Sequence, residues 1–170
     1  MSGYSVDIAR TDDLAAVHRL GVACGLEDSG RDEEQFVAAW GAFAGEDLVG
    51  AIVLERNEGL DAVNWMAVDD AYRRQGIASR LYAALEREAL DRGVRRLWVT
   101  ARTPAFFLSQ GYDAVGEGTE RDILLGECPR CAQFGRGCEP RALTKRIDDS
   151  VPPGGTQCEG ETWHDRDSAT

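Results

Sequence analysis

Residues 64–85 read NWMAVDDAYRRQGIASRLYAAL, and they predict a strand, a tight turn and a helix in direct succession. Residues 64–68 are short, mostly apolar and followed by two aspartates, as expected for a buried strand. From Ile77 onward the apolar residues recur at helical spacing, and Gly93 stands where glycine commonly ends a helix. Residues 95–101 then return to the pattern of a strand.

The turn before this helix predicts an anion-binding site. It reads Arg73-Arg74-Gln75-Gly76-Ile77-Ala78. The first N–H groups of a helix have no partner within the helix, and together with the helix dipole they favour a phosphate group. Gly76 allows a close approach of the backbone, and two arginines add positive charge. A solvated helix start is the alternative that the six residues alone leave open.

In its order of segments the chain resembles the GNAT superfamily, the Gcn5-related N-acetyltransferases. That family carries Gln/Arg-x-x-Gly-x-Gly/Ala between such a strand and helix, and here a later segment, Phe106-Phe107-Leu108-Ser109-Gln110-Gly111-Tyr112, follows in the same order. The resemblance covers residues 4–148 and is strongest over 62–117. It implies an α/β fold with a mixed, mostly antiparallel sheet, helices on both faces, and a split around the acetyl-CoA site.

The resemblance also implies roles for individual residues. The pyrophosphate of acetyl-CoA would be held by the backbone of Arg73, Arg74, Gln75, Gly76, Ile77, Ala78 and Ser79. The pantetheine arm would bind Met66, Ala67 and Val68, and the Val68 N–H would polarise the thioester carbonyl. Phe107 is the last residue predicted to bind the cofactor.

The proton-transfer groups depart from the family pattern. Phe107 stands where many members have a tyrosine acid, and Ala62 stands where many have a glutamate base. Asp61 is the candidate base, but it would need a β-bulge to reach the required face. Tyr112 is interpreted as a core residue with its hydroxyl outward. Water can also carry the proton, because part of a free α-amine is neutral near pH 7.

Within the family, the nearest resemblance is to the N-acetylglutamate synthase-like subgroup. The pair Phe106-Phe107 and a later cysteine cluster, Cys128, Cys131 and Cys138, match that subgroup. It implies an amino acid as the acceptor. The cysteines have two interpretations, a structural zinc site or a packed or redox-active cluster.

Composition bounds the domain organisation and the partners. We predict a single domain over residues 1–148, with the cysteine knuckle at 128–138 inside it, and an acidic, disordered tail over 149–170. The net charge of −11 argues against nucleic acid or anionic membrane as a partner. The many carboxylates and the single lysine, Lys145, have two alternative interpretations: a salt-adapted protein, or an ordinary acidic protein with arginine-rich codon usage. The sequence shows no pattern of a signal peptide or a membrane span, so we expect a cytoplasmic location. A homodimer is one assembly that we expect.

The remaining elements follow from local patterns. We predict a strand at 5–9, a helix capped by Thr11, and a second short helix at 33–40. A hairpin at 40–44 and 48–56 turns at 45–47, a short helix covers 105–110, and strands cover 112–116 and 141–147.

Three functions are consistent with the sequence. The first is acetyl-CoA-dependent N-acetylation of a small-molecule amine, with an amino acid as the expected acceptor, by direct attack in a ternary complex. The second is a non-catalytic acyl-CoA sensor, suggested by Phe107 and Ala62. The third is protein N-acetylation, in which acidic charge would favour basic acceptors.

Overall fold

A computed structural model describes residues 5–26 and 33–148 of the chain. The predicted tail at 149–170 and the loop at 27–32 lie outside the described residues. The described part contains seven strands: β1 Val6–Arg10, β2 Phe36–Ala44, β3 Asp47–Asn57, β4 Leu60–Val68, β5 Arg96–Ala101, β6 Asp113–Ala114 and β7 Arg141–Arg146. It also contains four α-helices: α1 Leu14–Ala23, α2 Ile77–Asp91, α3 Pro104–Ser109 and α4 Thr119–Leu125.

The strands form one mixed sheet in the order β1-β2-β3-β4-β5-β7-β6. All neighbouring pairs are antiparallel except β4 and β5, which run parallel. A parallel pair needs a crossover, and α2 provides it between β4 and β5. The predicted mixed, mostly antiparallel sheet with flanking helices is confirmed.

Each face of the sheet buries its own apolar cluster. The larger cluster packs α2 against the sheet through Leu81, Tyr82 and Leu85, all at most 2% exposed. The smaller cluster packs α1 through Val17 against Val53 and Trp65. Side chains alternate between faces along a regular strand, so Ile52 and Leu54 of β3 join the larger cluster and Ala51 and Val53 join the smaller one.

The sequence prediction was wrong at residues 33–40. Only residues Glu33–Gln35 form a short 3-10 turn, and β2 begins at Phe36. Phe36 and Val37 are apolar at spacings that fit either a short helix or a strand. Pairing of Phe36 with Glu55 on β3 decides for the strand.

The cap of α1 also differs from the prediction. Asp13 caps the helix, because its side chain accepts the N–H of Ala16 at 2.9 Å. Thr11 instead accepts the N–H of Asp13 through its hydroxyl at 3.2 Å. The two side chains therefore form successive turns leading into α1, and the helix begins slightly later than the sequence suggests.

A β-bulge interrupts the pairing of β3 and β4. Val53 pairs with Asn64 and Ala51 pairs with Ala67, so two residues of β4, Trp65 and Met66, face one residue of β3. Trp65 has a φ of +46°, in the left-handed region that residues with a side chain rarely adopt. The bulge bends β4 just before its end.

Candidate functional site

β4 and β5 separate immediately after they meet. Their pairing consists of Ala62 with Trp98 and Val63 with Val99, and the bulge of β4 follows at Trp65 and Met66. A cleft of about 470 Å³ opens between the diverging strands. It is lined by both strand ends, the end of α1 and part of α3. This volume is in the range of small-molecule sites in proteins.

The lining of the cleft contains five of the residues predicted to bind the cofactor. They are Met66, Ala67, Val68, Arg73 and Phe107. The others, from Arg74 to Ser79, continue from Arg73 into the start of α2 and do not line the cleft itself. Ile77 turns its side chain into the core, so only its backbone is available to a ligand.

The start of α2 has the geometry of an anion site. Gly76 caps the helix with φ +74°, and no side chain caps the first N–H groups. A Cβ atom at Gly76 would meet nothing within 4 Å, so the approach to the helix start is open. Arg74 also has a positive φ of +63°. The turn thus presents the orphan N–H groups of the first helical turn to solvent.

Arg73 links this turn to the end of β4. Its Nε donates to the Val68 carbonyl at 3.2 Å, and its Nη2 lies 2.9 Å from the Asp70 carboxylate. These contacts place a guanidinium group at the mouth of the cleft.

The Val68 N–H is directed toward the cleft. The next residue, Asp69, donates its N–H to Val49 of β3 at 2.8 Å. Successive residues of a strand direct their N–H groups to opposite edges, so the Val68 N–H faces away from β3. That edge is the one that β5 has left. The arrangement is suited to donating a hydrogen bond to a ligand carbonyl.

Phe107 is buried and belongs to an aromatic cluster with Tyr82 and Tyr112. The ring of Phe107 packs edge to face against Tyr112 at 5.4 Å and against Tyr82 at 6.5 Å. The hydroxyl of Tyr112 is not outward as predicted, because it accepts the hydroxyl of Tyr82 at 3.3 Å in the interior. Burial raises the pKa of both tyrosines well above the usual value.

Asp61, the predicted candidate base, does not reach the cleft. It pairs with Arg56 across the β3–β4 hairpin, with Oδ1 2.8 Å from Nη2. The bulge that the prediction required does exist, but it lies at Trp65 and Met66, after Asp61. Asp61 therefore keeps its place on the face opposite Ala62.

Several cleft residues were not predicted from the sequence. Cys24 and Leu26 come from the end of α1, and Arg102 and Thr103 follow β5. Burial raises the pKa of the Cys24 thiol, and the nearby Arg73 partly opposes that rise. Only tertiary structure brings α1 to this position, so no local signal could have identified Cys24.

Two side chains fix the end of α1 to the cleft. The Gly25 carbonyl accepts Nη1 of Arg102 at 2.6 Å and Nε2 of Gln133 at 2.9 Å. Gln133 lies in the loop of the three cysteines, which is thereby joined to the end of α1 beside the cleft.

The three cysteines do not form a recognisable metal centre. Burial raises the pKa of the Cys128 thiol, and Cys138 and Cys131 raise it further by their proximity. Yet within residues 5–26 and 33–148 no three His, Cys, Asp or Glu side chains are arranged to hold a metal ion. The structure does not support the predicted zinc site at Cys128, Cys131 and Cys138.

The cleft differs in charge from the protein as a whole. Its described lining includes Arg73 and Arg102 and contains no aspartate or glutamate, although the chain has a net charge of −11. These two guanidinium groups favour anionic ligands, although Asp70 partly offsets the charge of Arg73. No helix within the described ranges is long and apolar enough to cross a membrane.

Known proteins share this fold. An acetyltransferase of the GNAT family from Staphylococcus aureus Mu50 has a TM-score of 0.63 at 12% identity, covering 84% of this chain and 99% of that one. N-acetylglutamate synthase from Neisseria gonorrhoeae, complexed with coenzyme A and N-acetyl-glutamate, has a TM-score of 0.60 at 19% identity. That alignment covers 84% of this chain and 35% of the synthase.

A third similar structure is that of an enzyme named for a protein substrate. The ribosomal-protein-S18-alanine N-acetyltransferase of Escherichia coli has a TM-score of 0.60 at 17% identity, covering 85% of this chain and 95% of that one. At these identities the structures show the fold alone. The family assignment rests on the sequence, because the model of the acetyltransferase (GNAT) family matches residues 7–112. The chain therefore belongs to the GNAT family of acetyltransferases.

Proposed function

We propose that the protein transfers the acetyl group of acetyl-CoA to the amine of a small molecule, with an amino acid as the preferred acceptor class. The observation that carries the proposal is the cleft between β4 and β5, which the start of α2 flanks with open N–H groups. A pyrophosphate fits the helix start, and an extended pantetheine arm fits the free edge of β4.

The chemistry follows from this placement. The acceptor nitrogen attacks the thioester carbonyl carbon, a C–N bond forms, and the C–S bond then breaks to release coenzyme A as a thiolate. The Val68 N–H is placed to stabilise the charge that develops on the carbonyl oxygen. The amine proton leaves through water to the departing thiolate, because no Asp, Glu, His or Tyr lies among the described cleft residues.

Arg102 supports an acceptor that carries a carboxylate. It lies on the acceptor side of the cleft, beside Cys24 and Thr103, and Arg73 lies on the cofactor side. An arginine can bind a carboxylate through two parallel hydrogen bonds. The resemblance to the N-acetylglutamate synthase-like subgroup at Phe106-Phe107 points to the same acceptor class.

The test is direct. The protein is incubated with acetyl-CoA and pools of amino acids, simple amines and peptides in molar potassium chloride, and products are identified by mass spectrometry. We expect one acetylated amino acid. Acetylation of peptides alone would instead make the protein a protein N-acetyltransferase. Failure to bind acetyl-CoA would refute the proposal.

The role of Arg102 can be separated from its contact with α1. Arg102→Ala should raise the KM for the carboxylate-bearing acceptor, with little change for the matching amine that lacks the carboxylate. Gln133→Ala is the control, because it removes the other hydrogen bond to the Gly25 carbonyl and leaves the charge in place. Equal effects of both variants would assign Arg102 a structural role only.

A non-catalytic acyl-CoA sensor is the second candidate. It is favoured by Phe107 and by the lack of a described proton acceptor along the cleft. It predicts tight acetyl-CoA binding with no acetylated product from any pool. The same mass-spectrometric experiment, paired with a calorimetric binding measurement, distinguishes the two candidates.

A further inference from the structure

The bulge in β4 requires interactions that hold it in place. Trp65 adopts its φ of +46° at the point where β4 turns away from β5. A residue with a side chain is disfavoured in that region unless its surroundings fix it. One anchor is the indole ring, which is 5% exposed, packs with Val17 and Val53, and lies 5.0 Å from the His18 ring.

The second anchor is a chain of two hydrogen bonds. The Trp65 backbone N–H donates to Oδ1 of Asn64 at 3.0 Å, and Nδ2 of Asn64 donates to Oε2 of Glu55 at 2.8 Å. Glu55 is 7% exposed, and it is the buried charged residue of the described part of the chain. The chain runs from a buried carboxyl group to the backbone of the bulge.

Glu55 determines which way the Asn64 amide points. A carboxylate oxygen accepts hydrogen bonds, so it faces the NH₂ end of the amide. The oxygen end of Asn64 is then turned to the Trp65 N–H. Asn64 lines the cleft, whereas Glu55, which pairs with Ala62 from β3, is not among the lining residues.

We propose that Glu55 is a positioning residue for acetyl transfer: acting through Asn64, it fixes the bulge that directs the Val68 N–H into the cleft. The inference rests on the proposed function. It assigns to Glu55 no proton transfer, because a general base must reach its proton directly or through one water, and Asn64 stands between Glu55 and the cleft.

Two variants of similar size separate the possibilities. Glu55→Gln keeps an oxygen that can accept from Asn64, and Glu55→Leu removes it. We expect Glu55→Gln to retain most of kcat and Glu55→Leu to lose about tenfold to a hundredfold, since a small displacement of a reacting group has effects of that size. Asp61→Ala is the control, because it removes a hydrogen-bonded carboxylate from the same strand pair outside the cleft.

Hydrogen exchange reports on the bulge itself. In Glu55→Leu the Trp65 amide should exchange faster than in the wild type, while amides in the α2 core keep their protection. In Glu55→Gln and Asp61→Ala the Trp65 amide should remain protected. Circular dichroism and thermal melts establish that each variant is folded.

Two results would overturn the proposal. The first is a Glu55→Leu variant with wild-type kcat and a protected Trp65 amide. The second is a Glu55→Gln variant as slow as Glu55→Leu whose rate recovers once the pH exceeds the pKa of the acceptor amine. That recovery would show that the carboxyl group itself removes the proton, because free amine no longer needs a base.

The outcome stays distinguishable from a failure of the proposed function. If the wild type acetylates no acceptor, the proposed enzyme activity fails, but the exchange of the Trp65 amide still tests the hydrogen-bond chain. Acetyl-CoA affinity then replaces kcat as the functional readout. We expect Glu55→Leu to weaken it severalfold and Glu55→Gln to preserve it, and equal affinities in all three proteins would refute positioning.

Discussion

Gly76 and Gly93 stand at the two ends of α2 with nearly the same backbone, φ +74° and +79°. At either position a Cβ atom would meet nothing within 4 Å. Alanine should therefore cost the same at both, about 1–2 kcal/mol, because the strain lies in the left-handed backbone. Only Gly76→Ala should weaken acetyl-CoA binding, since the 15-residue helix, about 22 Å long, separates Gly93 from that turn. Calorimetric titration and thermal melts of both variants test this, and equal affinities would place the pyrophosphate elsewhere.

Tyr82 and Tyr112 make the fold sensitive to alkali. Burial raises the pKa of each above the value of an unfolded tyrosine, near 10. Below that pH both states are protonated and stability is unaffected. Above it the unfolded chain loses the protons first, so the free energy of unfolding falls as pH rises. Absorbance of tyrosinate should show these two tyrosines titrating only as the protein unfolds.

Tyr82→Phe and Tyr112→Phe test whether these two tyrosines cause the loss of stability in alkali. Each variant removes one late-titrating group, so its amplitude should vanish from the alkaline transition. The free energy of unfolding should also fall less steeply above pH 10, because unfolding releases one proton fewer. Titration of all tyrosines before unfolding would contradict the burial of the pair.

Glu55 shows what the sequence could not reveal about single residues. In the sequence it precedes Arg56 and Asn57, and the three together resemble the solvated end of a strand. In the structure it is buried, and Phe36 of β2 pairs with it across the sheet. Because residues 33–40 were predicted as a helix, no neighbour was expected at that place. The strand, turn and helix at residues 64–85, in contrast, are contiguous, and local pattern was enough to predict them.

Among the elements, α1 approaches β4 unusually closely at Gly21. A Cβ atom there would lie 2.2 Å from Cε3 of Trp65. Alanine usually stabilises a helix relative to glycine, but here the clash dominates. We expect Gly21→Ala to destabilise the protein by about 1–3 kcal/mol, the usual cost of overpacking. It should also weaken acetyl-CoA binding, because the end of α1 lines the cleft through Cys24.

A second variant isolates the cause. In a Trp65→Leu background the ring is absent, so Gly21→Ala should be far less destabilising or even favourable through helix propensity. A double-mutant cycle of urea unfolding measures this coupling. Additive effects of the two substitutions would show that the contact with Trp65 does not limit the residue at position 21.

The elements differed in how well the sequence predicted them. α2 and β3 have long, regular apolar patterns and lie where predicted. The helix α4 was missed, because Thr119–Leu125 is short and its first turn is acidic and exposed. The split of the sheet was implied by the family resemblance, but the bulge behind it depends on a non-glycine residue with positive φ. No local sequence pattern predicts a non-glycine residue with a positive φ.

At the scale of the whole molecule, charge should govern stability. The net charge of −11 produces repulsion that is screened only when the Debye length becomes short, about 30 Å at 0.01 M salt and 10 Å at 0.1 M. We expect the melting temperature to rise with potassium chloride, by about 2–4 °C for each 1 kcal/mol gained. Most of the gain should come below a few tenths molar, where screening changes fastest.

The shape of that salt dependence is informative. Screening saturates, whereas exclusion of salt from the protein surface keeps increasing with concentration. A rise that continues unchanged to molar salt would point to the second effect and favour the salt-adapted interpretation of the composition. Sucrose at matched concentrations is the uncharged control, because it is excluded from the protein surface but does not screen charge.

The strand order could not be predicted from the sequence, because β7 pairs between β5 and β6 through contacts between residues that are distant in the chain.

The two residue pairs between β4 and β5 have a further consequence. They divide the sheet into two ribbons, β1–β4 and β5–β7, that meet along a narrow seam. A ligand that hydrogen-bonds to both ribbons fastens that seam as a bridging strand would. A ligand that binds only the folded chain stabilises it by about 2.7 kcal/mol when the ligand concentration is a hundred times the Kd. The supply of coenzyme A would then set the lifetime of the protein as well as its rate of turnover.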